Sequence, residues 1–169
     1  MGDPFVRPVG LLLLLLLDVC LQAAGVDRSQ HYATNAVKHF KFEQRGKRRL
    51  HAGPTPVKRC AWRLVAELQV RDPQLTVAMG ATAFYALTDH ASFVTRERGN
   101  LSGTPGGKSL LVTIHPSDLL RLPDREDAQE ERQVFVKDLR KITDVLAGEN
   151  SVRRLLSFLP PGTSFFNRG

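Results

Sequence analysis

Apolar residues follow different spacings along the chain, and each spacing predicts a different element. From Leu11 to Ala24 nearly every position is apolar, so a helix here must be covered over most of its surface. Two short apolar runs, at 74–79 (QLTVAM) and 109–115 (SLLVTIH), have the length and composition of buried strands. From Arg125 to about Leu146 helical spacing predicts a long charged helix, whose apolar face is formed by Val134, Phe135, Leu139, Ile142 and Leu146.

Residues that begin or end helices set the limits of the other elements. Gly25 is placed to end the first helix as its C-terminal cap. Thr55-Pro56 opens a helix that runs to about Val70, with apolar positions at helical spacing. Gly80 starts a tight turn after the first apolar run, and the turn leads into another helix through about Leu87.

A third strand is predicted at residues 31–37 (HYATNAV), ending at the polar Asn35. The alternation of strands and helices predicts an α/β fold, a three-layer α/β/α sandwich with a mostly parallel sheet. In such sheets ligands gather at the carboxyl ends of the strands. Because Asn35 and His115 both stand at predicted strand ends, we expect them at one face of the sheet.

Polar stretches separate these elements, and a tail follows them. Residues 38–56 are basic, contain glycine and proline breakers, and are predicted to form a long loop, while residues 88–108 are polar and glycine-rich. A loop as long as 38–56 in a compact domain is usually functional or disordered. The 169 residues suffice for one domain, predicted at 1–147, with a tail at 148–169 that we expect to be poorly ordered beyond Pro160.

The charge balance favours a polyanionic partner. The formal net charge is +7, and basic residues cluster at 38–49, 58–63 and 96–98. This balance suits nucleic acid or an anionic membrane surface, and charge alone leaves both open. Two cysteines, Cys20 and Cys60, are too few for a disulfide-stapled secreted scaffold. They fit reduced thiols in a cytoplasmic protein, with a single bridge between them as the alternative.

The N-terminal segment has two interpretations. Arg7, the leucines at 11–17 and the small residues at 23–25 resemble a signal peptide with its cleavage site. The apolar run is too short to span a bilayer as a helix, and Asp18 interrupts it. The same segment is typical of a buried helix in a globular domain, so both interpretations stay open.

Three side chains at the predicted face have chemistry suited to a nucleobase. Asn35 offers an amide that both donates and accepts hydrogen bonds, as reading the edge of a base requires. His115 and Ser117 bring an imidazole and a hydroxyl just past a buried strand, with Pro116 fixing the backbone between them. Each signal also has an ordinary structural explanation, since asparagine is common in turns and a lone histidine is more often structural than catalytic.

Longer motifs are more specific. In chain order they are Gly2-Asp3-Pro4-Phe5-Val6, Thr34-Asn35-Ala36-Val37-Lys38-His39-Phe40-Lys41-Phe42, Arg45-Gly46-Lys47-Arg48-Arg49-Leu50-His51, Cys60-Ala61-Trp62, Met79-Gly80-Ala81-Thr82-Ala83, Val94-Thr95-Arg96-Glu97-Arg98-Gly99 and Thr113-Ile114-His115-Pro116-Ser117-Asp118-Leu119-Leu120-Arg121. Over residues 2–142 this set resembles the iron–sulfur uracil-DNA glycosylases. The resemblance is greatest to the X-type enzymes, which stay crosslinked to their product.

The resemblance implies a role for each matched residue. The substrate would be uracil in DNA, either single-stranded or flipped out of a duplex. Phe5 would stack on the base, Asn35 would hydrogen-bond the uracil edge and reject cytosine, and His115 would stabilise charge on the departing uracilate. His51 would attack the sugar cation and leave a covalent protein–DNA adduct. The residues implied to approach the DNA backbone are Ser117, Arg121, Lys47, Arg48 and Arg49.

The chain also departs from the family pattern. It begins just after the family's Cys-x-x-Cys pair, first strand and acid-rich motif, so we expect an N-terminally truncated domain whose sheet lacks that strand. Cys60 matches one ligand position of the family's 4Fe–4S cluster, and His39 falls where related enzymes carry another cysteine. Cys20 matches no ligand position. We therefore expect a cluster that is incomplete or absent.

Three functions are consistent with these observations. The first is a uracil-DNA glycosylase of DNA base-excision repair, a cytoplasmic monomer that acts on uracil-containing DNA and has no membrane partner. The second is a catalytically impaired nucleic-acid-binding remnant that keeps the basic loop. The third is a small secreted basic protein from which the first 24 residues are cleaved.

Overall fold

The computed structural model describes residues 8–38, 44–45, 48–49, 54–90, 94–103 and 107–157, with side chains in 10–38, 57–90, 94–103 and 107–148. The helices are α1 (Pro8–Ala23), α2 (Pro54–Arg71), α3 (Ala81–Thr88), α4 (Val94–Glu97), α5 (Pro116–Leu119) and α6 (Arg125–Ser157). The strands are β1 (Gln44–Arg45), β2 (Arg48–Arg49), β3 (Leu75–Met79), β4 (Leu101–Gly103) and β5 (Ser109–Thr113). A single 3₁₀ turn at Arg28–Gln30 follows α1.

The main sheet has three strands in the order β3-β5-β4. The parallel β3–β5 ladder is the longer one and runs from the Leu75–Ser109 pair to the Met79–Thr113 pair. The short β4 pairs antiparallel with β5 on its other edge. Among the described residues β3 has a strand partner on one edge only.

Alternate side chains of β5 enter two different apolar layers, as expected for a strand buried on both faces. Leu111 belongs to a cluster with Leu21 of α1 and with Phe135 and Leu139 of α6. Leu110 and Val112 point the other way and pack with Phe84 of α3. The predicted α/β fold with helices on both sides of a small sheet is therefore confirmed.

Helix α1 supplies one face to the core and ends as its sequence predicts. Leu17, Cys20, Leu21 and Ala24 are buried at helical spacing. Gly25 has a φ of +76°, its N–H donates to the carbonyl of Gln22, and the N–H of Val26 donates to the carbonyl of Leu21. These two bonds form a Schellman motif, which favours glycine because the backbone is left-handed there.

The other face of α1 departs from the expectation of cover on most sides. Leu11, Leu15 and Val19 are about half exposed. Asp18, which interrupts the leucine run, accepts a hydrogen bond from Arg28 Nε at 2.8 Å and so joins α1 to the 3₁₀ turn. None of the helices in the described part of the chain combines the length and the apolar character that a membrane span requires.

Residues 31–37 do not form the predicted strand. The side chains of this segment contact α2 instead, because Val37 is buried in a cluster with Val57 and Cys60. The apolar end of the segment is thus buried by packing on a helix, and no strand pairs with residues 31–37 among the described residues.

Two predicted loops contain short regular elements. Within 38–56, β1 and β2 form an antiparallel pair, and α2 already begins at Pro54. Within 88–108, α4 is followed by β4 on the edge of the sheet. Elements of two to four residues lie below the length at which apolar spacing can be recognised, so only their long-range pairing defines them.

Helix α6 is longer than predicted. Its N-terminus is capped by Asp124, whose Oδ1 accepts the Glu126 N–H at 2.9 Å. Val136 is buried, while Val134, which the sequence assigned to the apolar face, is 43% exposed. The helix continues past about Leu146 to Ser157, across the predicted boundary at 147. The expectation for the tail beyond Pro160 lies outside the described residues.

Candidate active site

A cavity of about 740 Å³ lies along the edge of β3 to which no other described strand is paired. Its walls come from α1, α2, β3, α3, the segment 28–37, the second half of α6 and the His115-Pro116 turn. This volume is within the range of about 300–1,000 Å³ that is typical of small-molecule sites. Asn35 and His115 both line the cavity, so these two predicted site residues share one space.

His115 follows β5 and caps the short helix α5. Its Nδ1 accepts a hydrogen bond from the Ser117 backbone N–H at 3.1 Å and lies 2.7 Å from Ser117 Oγ. A backbone N–H can only donate, so Nδ1 carries the lone pair and the proton of the neutral ring is on Nε2. Ser117 therefore fixes the tautomer of His115.

The pKa of His115 lies below the ordinary value of 6.5. Partial desolvation of the ring at the cavity wall lowers this pKa, although His115 as a whole residue is exposed; the Asp118 carboxylate opposes that effect, and the Arg121 guanidinium adds to it. His115 is therefore neutral at pH 7 and can present an N–H from Nε2. Such a neutral donor suits stabilisation of an oxyanion.

Gly80 allows the ends of β3 and β5 to approach each other beside His115. Its φ is +86°, and its N–H donates to the Thr113 carbonyl at 2.9 Å. A Cβ at Gly80 would stand 3.0 Å from the His115 Cβ. A side chain there would be strained by its φ and would crowd His115, so glycine maintains this side of the site.

Asn35 lies on the segment that packs against α2, not at the end of a strand. Thr34, the residue before Asn35, and Lys38, three residues after it, both bind Glu67 on α2. Two residues earlier than Thr34, the Tyr32 ring is covered by the Arg71 guanidinium at 4.3 Å. Asn35 thus lines the cavity because its segment packs on α2, and not because it ends a strand of the sheet as predicted.

The other described residues implied to bind DNA stand close to His115 in the chain. The Ser117 hydroxyl lies within hydrogen-bond distance of the His115 imidazole. Arg121 makes a 3.3 Å ion pair with Asp118, and its side chain is 67% exposed. An exposed guanidinium of this kind is available to a phosphate. Phe5, His39, Lys47 and His51 lie outside the described residues, and Arg48 and Arg49 are described only as the backbone of β2.

Cys60 is buried among apolar neighbours. It packs with Val37 and Val57, whereas Cys20 lies in the separate cluster between α1 and α6. Burial raises the pKa of the Cys20 thiol, although a hydrogen bond from Arg132 opposes the rise. Among the described residues no group of three or more potential metal ligands is found. Since a 4Fe–4S cluster usually takes four ligands, the described residues alone do not fit one.

Glu67 is a site residue that the sequence analysis missed. One face of α2 carries Val57, Cys60 and Leu64, all buried, and Glu67 continues that face at helical spacing. A carboxylate on an apolar face is the signal that identifies such a residue, because a charge there needs a partner.

The family of the chain is shown by comparison with known proteins. The model of the Uracil DNA glycosylase superfamily matches residues 1–140. The chain is also similar to the Type-4 uracil-DNA glycosylase of Thermotoga maritima, at 32% identity over 151 residues, which is 88% of this chain and 71% of the relative. The chain therefore belongs to the uracil DNA glycosylase superfamily, which confirms the hydrolase class that its motifs implied.

Proposed function

We propose that this protein cleaves the N-glycosidic bond between uracil and deoxyribose in DNA, and that the cavity beside β3 receives the uracil. The observation that carries the proposal is that the Asn35 amide and the neutral imidazole of His115 line one cavity. The protein would act in the cytoplasm as a monomer, on single-stranded DNA or on a base flipped out of a duplex.

The proposed chemistry separates charge between the sugar and the base. When the bond from C1′ to the uracil nitrogen breaks, its electron pair leaves with the base, and C1′ becomes cationic. The negative charge gathers on a uracil oxygen, where the His115 Nε2–H would stabilise it without giving up its proton. Water that adds to C1′ and loses a proton completes the hydrolysis. The hydrogen bond strengthens as the charge develops, so it lowers the barrier.

Asn35 would select the base. Its amide can accept from the uracil N–H and donate to a uracil oxygen, whereas cytosine exchanges that donor and acceptor. In an Asn35→Ala variant the loss of two hydrogen bonds of about 1 kcal/mol each predicts a fall of about 30-fold in kcat/KM for uracil release. Release of uracil from a single-stranded oligonucleotide, quantified at several substrate concentrations, measures this fall.

Binding of the same oligonucleotide with thymine in place of uracil is the control for the Asn35→Ala experiment. That affinity is expected to stay within about twofold of the unsubstituted protein, because phosphate contacts dominate it. If Asn35→Ala lowered uracil release and this affinity equally, Asn35 would have no specific role in base recognition.

The proposal includes a second fate for the sugar cation, based on the resemblance to the X-type enzymes. An unprotonated nitrogen of the His51 imidazole would add to C1′, the ring would lose its N–H proton, and a covalent C–N adduct would replace hydrolysis. Lys47, Arg48 and Arg49 would hold phosphate beside it, and Phe5 would stack on the uracil. If the family's 4Fe–4S cluster binds, Cys60 and His39 would be two of its ligands, and no step is assigned to it.

Covalent capture predicts a denaturant-resistant complex. The protein incubated with labelled uracil-containing single-stranded DNA is expected to give a slower band that survives boiling in detergent. The band should vanish in His51→Ala and persist in His90→Ala, a matched change at an exposed histidine. Free uracil accompanied by no such band in the unsubstituted protein would restrict the reaction to hydrolysis.

A DNA-binding remnant is the second candidate function, and one observation favours it. Among the described residues that line the cavity, Glu67 is the single carboxylate, and it is already paired with Lys38 at 2.7 Å. A carboxylate held in this way is poorly placed to activate water. Salt-sensitive binding that is equal for uracil and thymine oligonucleotides, without release of uracil, would favour the remnant.

A further inference from the structure

We propose that Glu67 is a positioning residue, whose carboxylate holds the Asn35 segment in the orientation that reads the uracil edge. The inference rests on the proposed role of Asn35. Glu67 belongs to none of the motifs that identify the family; it lies on α2, between two of them. The contacts of its carboxylate carry the argument.

One carboxylate oxygen of Glu67 binds side chains on both sides of Asn35 in the chain. Its Oε2 accepts from Lys38 Nζ at 2.7 Å and from Thr34 Oγ1 at 3.0 Å. Lys38 Nζ also donates to Thr34 Oγ1, so the three groups form a closed triangle. Because Thr34 and Lys38 stand on opposite sides of Asn35 in the chain, the carboxylate restrains both ends of the short segment between them.

The triangle is partly shielded from water. The side chains of Lys38 and Glu67 are 17% and 27% exposed, whereas those of the surface pair Lys58–Asp89 are 59% and 71% exposed. An ion pair with little solvent around it is screened less and holds its geometry better than an exposed pair. Burial raises the pKa of Glu67, but the hydrogen bonds from Lys38, Thr34 and Tyr32 outweigh it and keep the pKa below its usual value. The carboxylate is therefore ionised at neutral pH.

Other contacts anchor the segment independently of Glu67. Val37 is buried against Val57 of α2, and the Tyr32 ring, whose side chain also hydrogen-bonds Glu67, keeps its stacking on Arg71 of α2 when the carboxylate is removed. Removal of the carboxylate should therefore leave the segment attached to α2 and loosen only the part that carries Asn35. This separation allows positioning to be tested apart from folding.

Small displacements of a binding group have large kinetic effects. A displacement of about 1 Å can lower the rate by about 100-fold, because the group no longer meets the reacting atoms in the required geometry. Glu67 has no role in bond breaking in this proposal, since its Oε2 is already bound by two donors. Its effect should therefore appear as loss of Asn35 function.

The kinetic test uses Glu67→Ala and the conservative Glu67→Gln. We expect Glu67→Ala to lower kcat for uracil release by about 10- to 100-fold with little change in KM for DNA. Glu67→Gln keeps an oxygen acceptor for Thr34 and Lys38, so it should recover much of the rate. Asp89→Asn, which removes a carboxylate from an exposed pair and keeps a residue that tolerates the left-handed backbone at this position, should match the unsubstituted protein.

A second measurement follows Asn35 directly and does not need activity. The side-chain amide signals of Asn35 in a ¹H–¹⁵N spectrum, assigned by their loss in Asn35→Ala, should shift or broaden in Glu67→Ala and stay unchanged in Asp89→Asn. Unchanged signals together with an unchanged kcat would overturn the proposal. If the unsubstituted protein released no uracil while the amide signals still responded to Glu67→Ala, the positioning role would stand and the proposed function would fail.

Discussion

Replacing His115 with alanine is expected to lower the rate of uracil release by about 100- to 1,000-fold, the loss typical for removal of one donor to a developing oxyanion. The physical reason is the fixed tautomer. The Ser117 N–H occupies Nδ1, so the only proton of the neutral ring is presented from Nε2. The initial rate of uracil release from a single-stranded oligonucleotide measures the effect.

Two comparisons make the His115→Ala experiment specific. His90→Ala removes an exposed histidine and should keep the unsubstituted rate. Affinity for thymine-containing DNA should also stay unchanged in His115→Ala, since phosphate contacts supply it. A rate within threefold of the unsubstituted protein would exclude His115 from stabilisation of the leaving base.

The acid limb of the rate profile provides a further check on His115. Its pKa in the folded protein is below 6.5, so the ring stays neutral until the pH falls through that lowered value. Below it, protonation places a proton on Nδ1, against the Ser117 N–H, and breaks the contact that orients the ring. The stability that arises from neutral His115 is complete above its unfolded pKa and is lost as the pH falls through the folded pKa. Activity should fall in the same window, and His115→Ala should lack that limb.

The elements that surround His115 could be predicted because their signals are local. The apolar runs that become β3 and β5, the proline-containing start of α2 and the glycine at the end of α1 each act over a few residues. Spacing alone therefore defines them. The parallel pairing of β3 with β5 then follows from the helix between them, because such crossovers join parallel strands.

The position of Asn35 could not be derived in the same way. Residues 31–37 have a strand-like pattern, and the contacts that determine their structure come from α2, about thirty residues later in the chain. A local pattern predicts that one side of a segment is buried, but it does not predict which element covers that side. Asn35 still reached the cavity shared with His115, because the side chains on either side of it bind one face of α2. The resemblance to the family's motifs identified Asn35 as a site residue, whereas its attachment to α2 is seen only in the structure.

A second large effect is expected from Asp138, which lies on α6 away from the cavity. Its side chain is 7% exposed, and its Oδ2 accepts from Arg98 Nε at 2.7 Å and from Thr113 Oγ1 at 2.8 Å. Arg98 also pairs with Glu131, and its own side chain is only 16% exposed. The carboxylate therefore joins the turn after α4, the last residue of β5 and the middle of α6.

Asp138→Ala is expected to lower the free energy of unfolding by about 3 kcal/mol, because it leaves the part-buried Arg98 guanidinium with Glu131 as its remaining counter-charge and Thr113 Oγ1 without its acceptor. Urea denaturation followed by circular dichroism measures the change. Asp138→Asn, which keeps an oxygen acceptor for Thr113, should lose less and provides a measurable variant if the alanine form does not fold. Lys58→Ala breaks an exposed pair and should cost less than about 1 kcal/mol.

The comparison tests whether Asp138, through its burial and its second hydrogen bond, stabilises the fold more than an exposed ion pair does. The N–O distances are 2.7 Å for Arg98–Asp138 and 3.1 Å for Lys58–Asp89. The two pairs differ in exposure to water and in the additional hydrogen bond that Asp138 accepts from Thr113. If Asp138→Ala and Lys58→Ala had equal effects, solvent would screen both pairs alike, and Asp138 could not be a buried link between α6 and β5. If Asp138→Ala costs about 2 kcal/mol more than Lys58→Ala, Thr113 is held by α6, and the strand that ends just before His115 is fixed from the side opposite to α3.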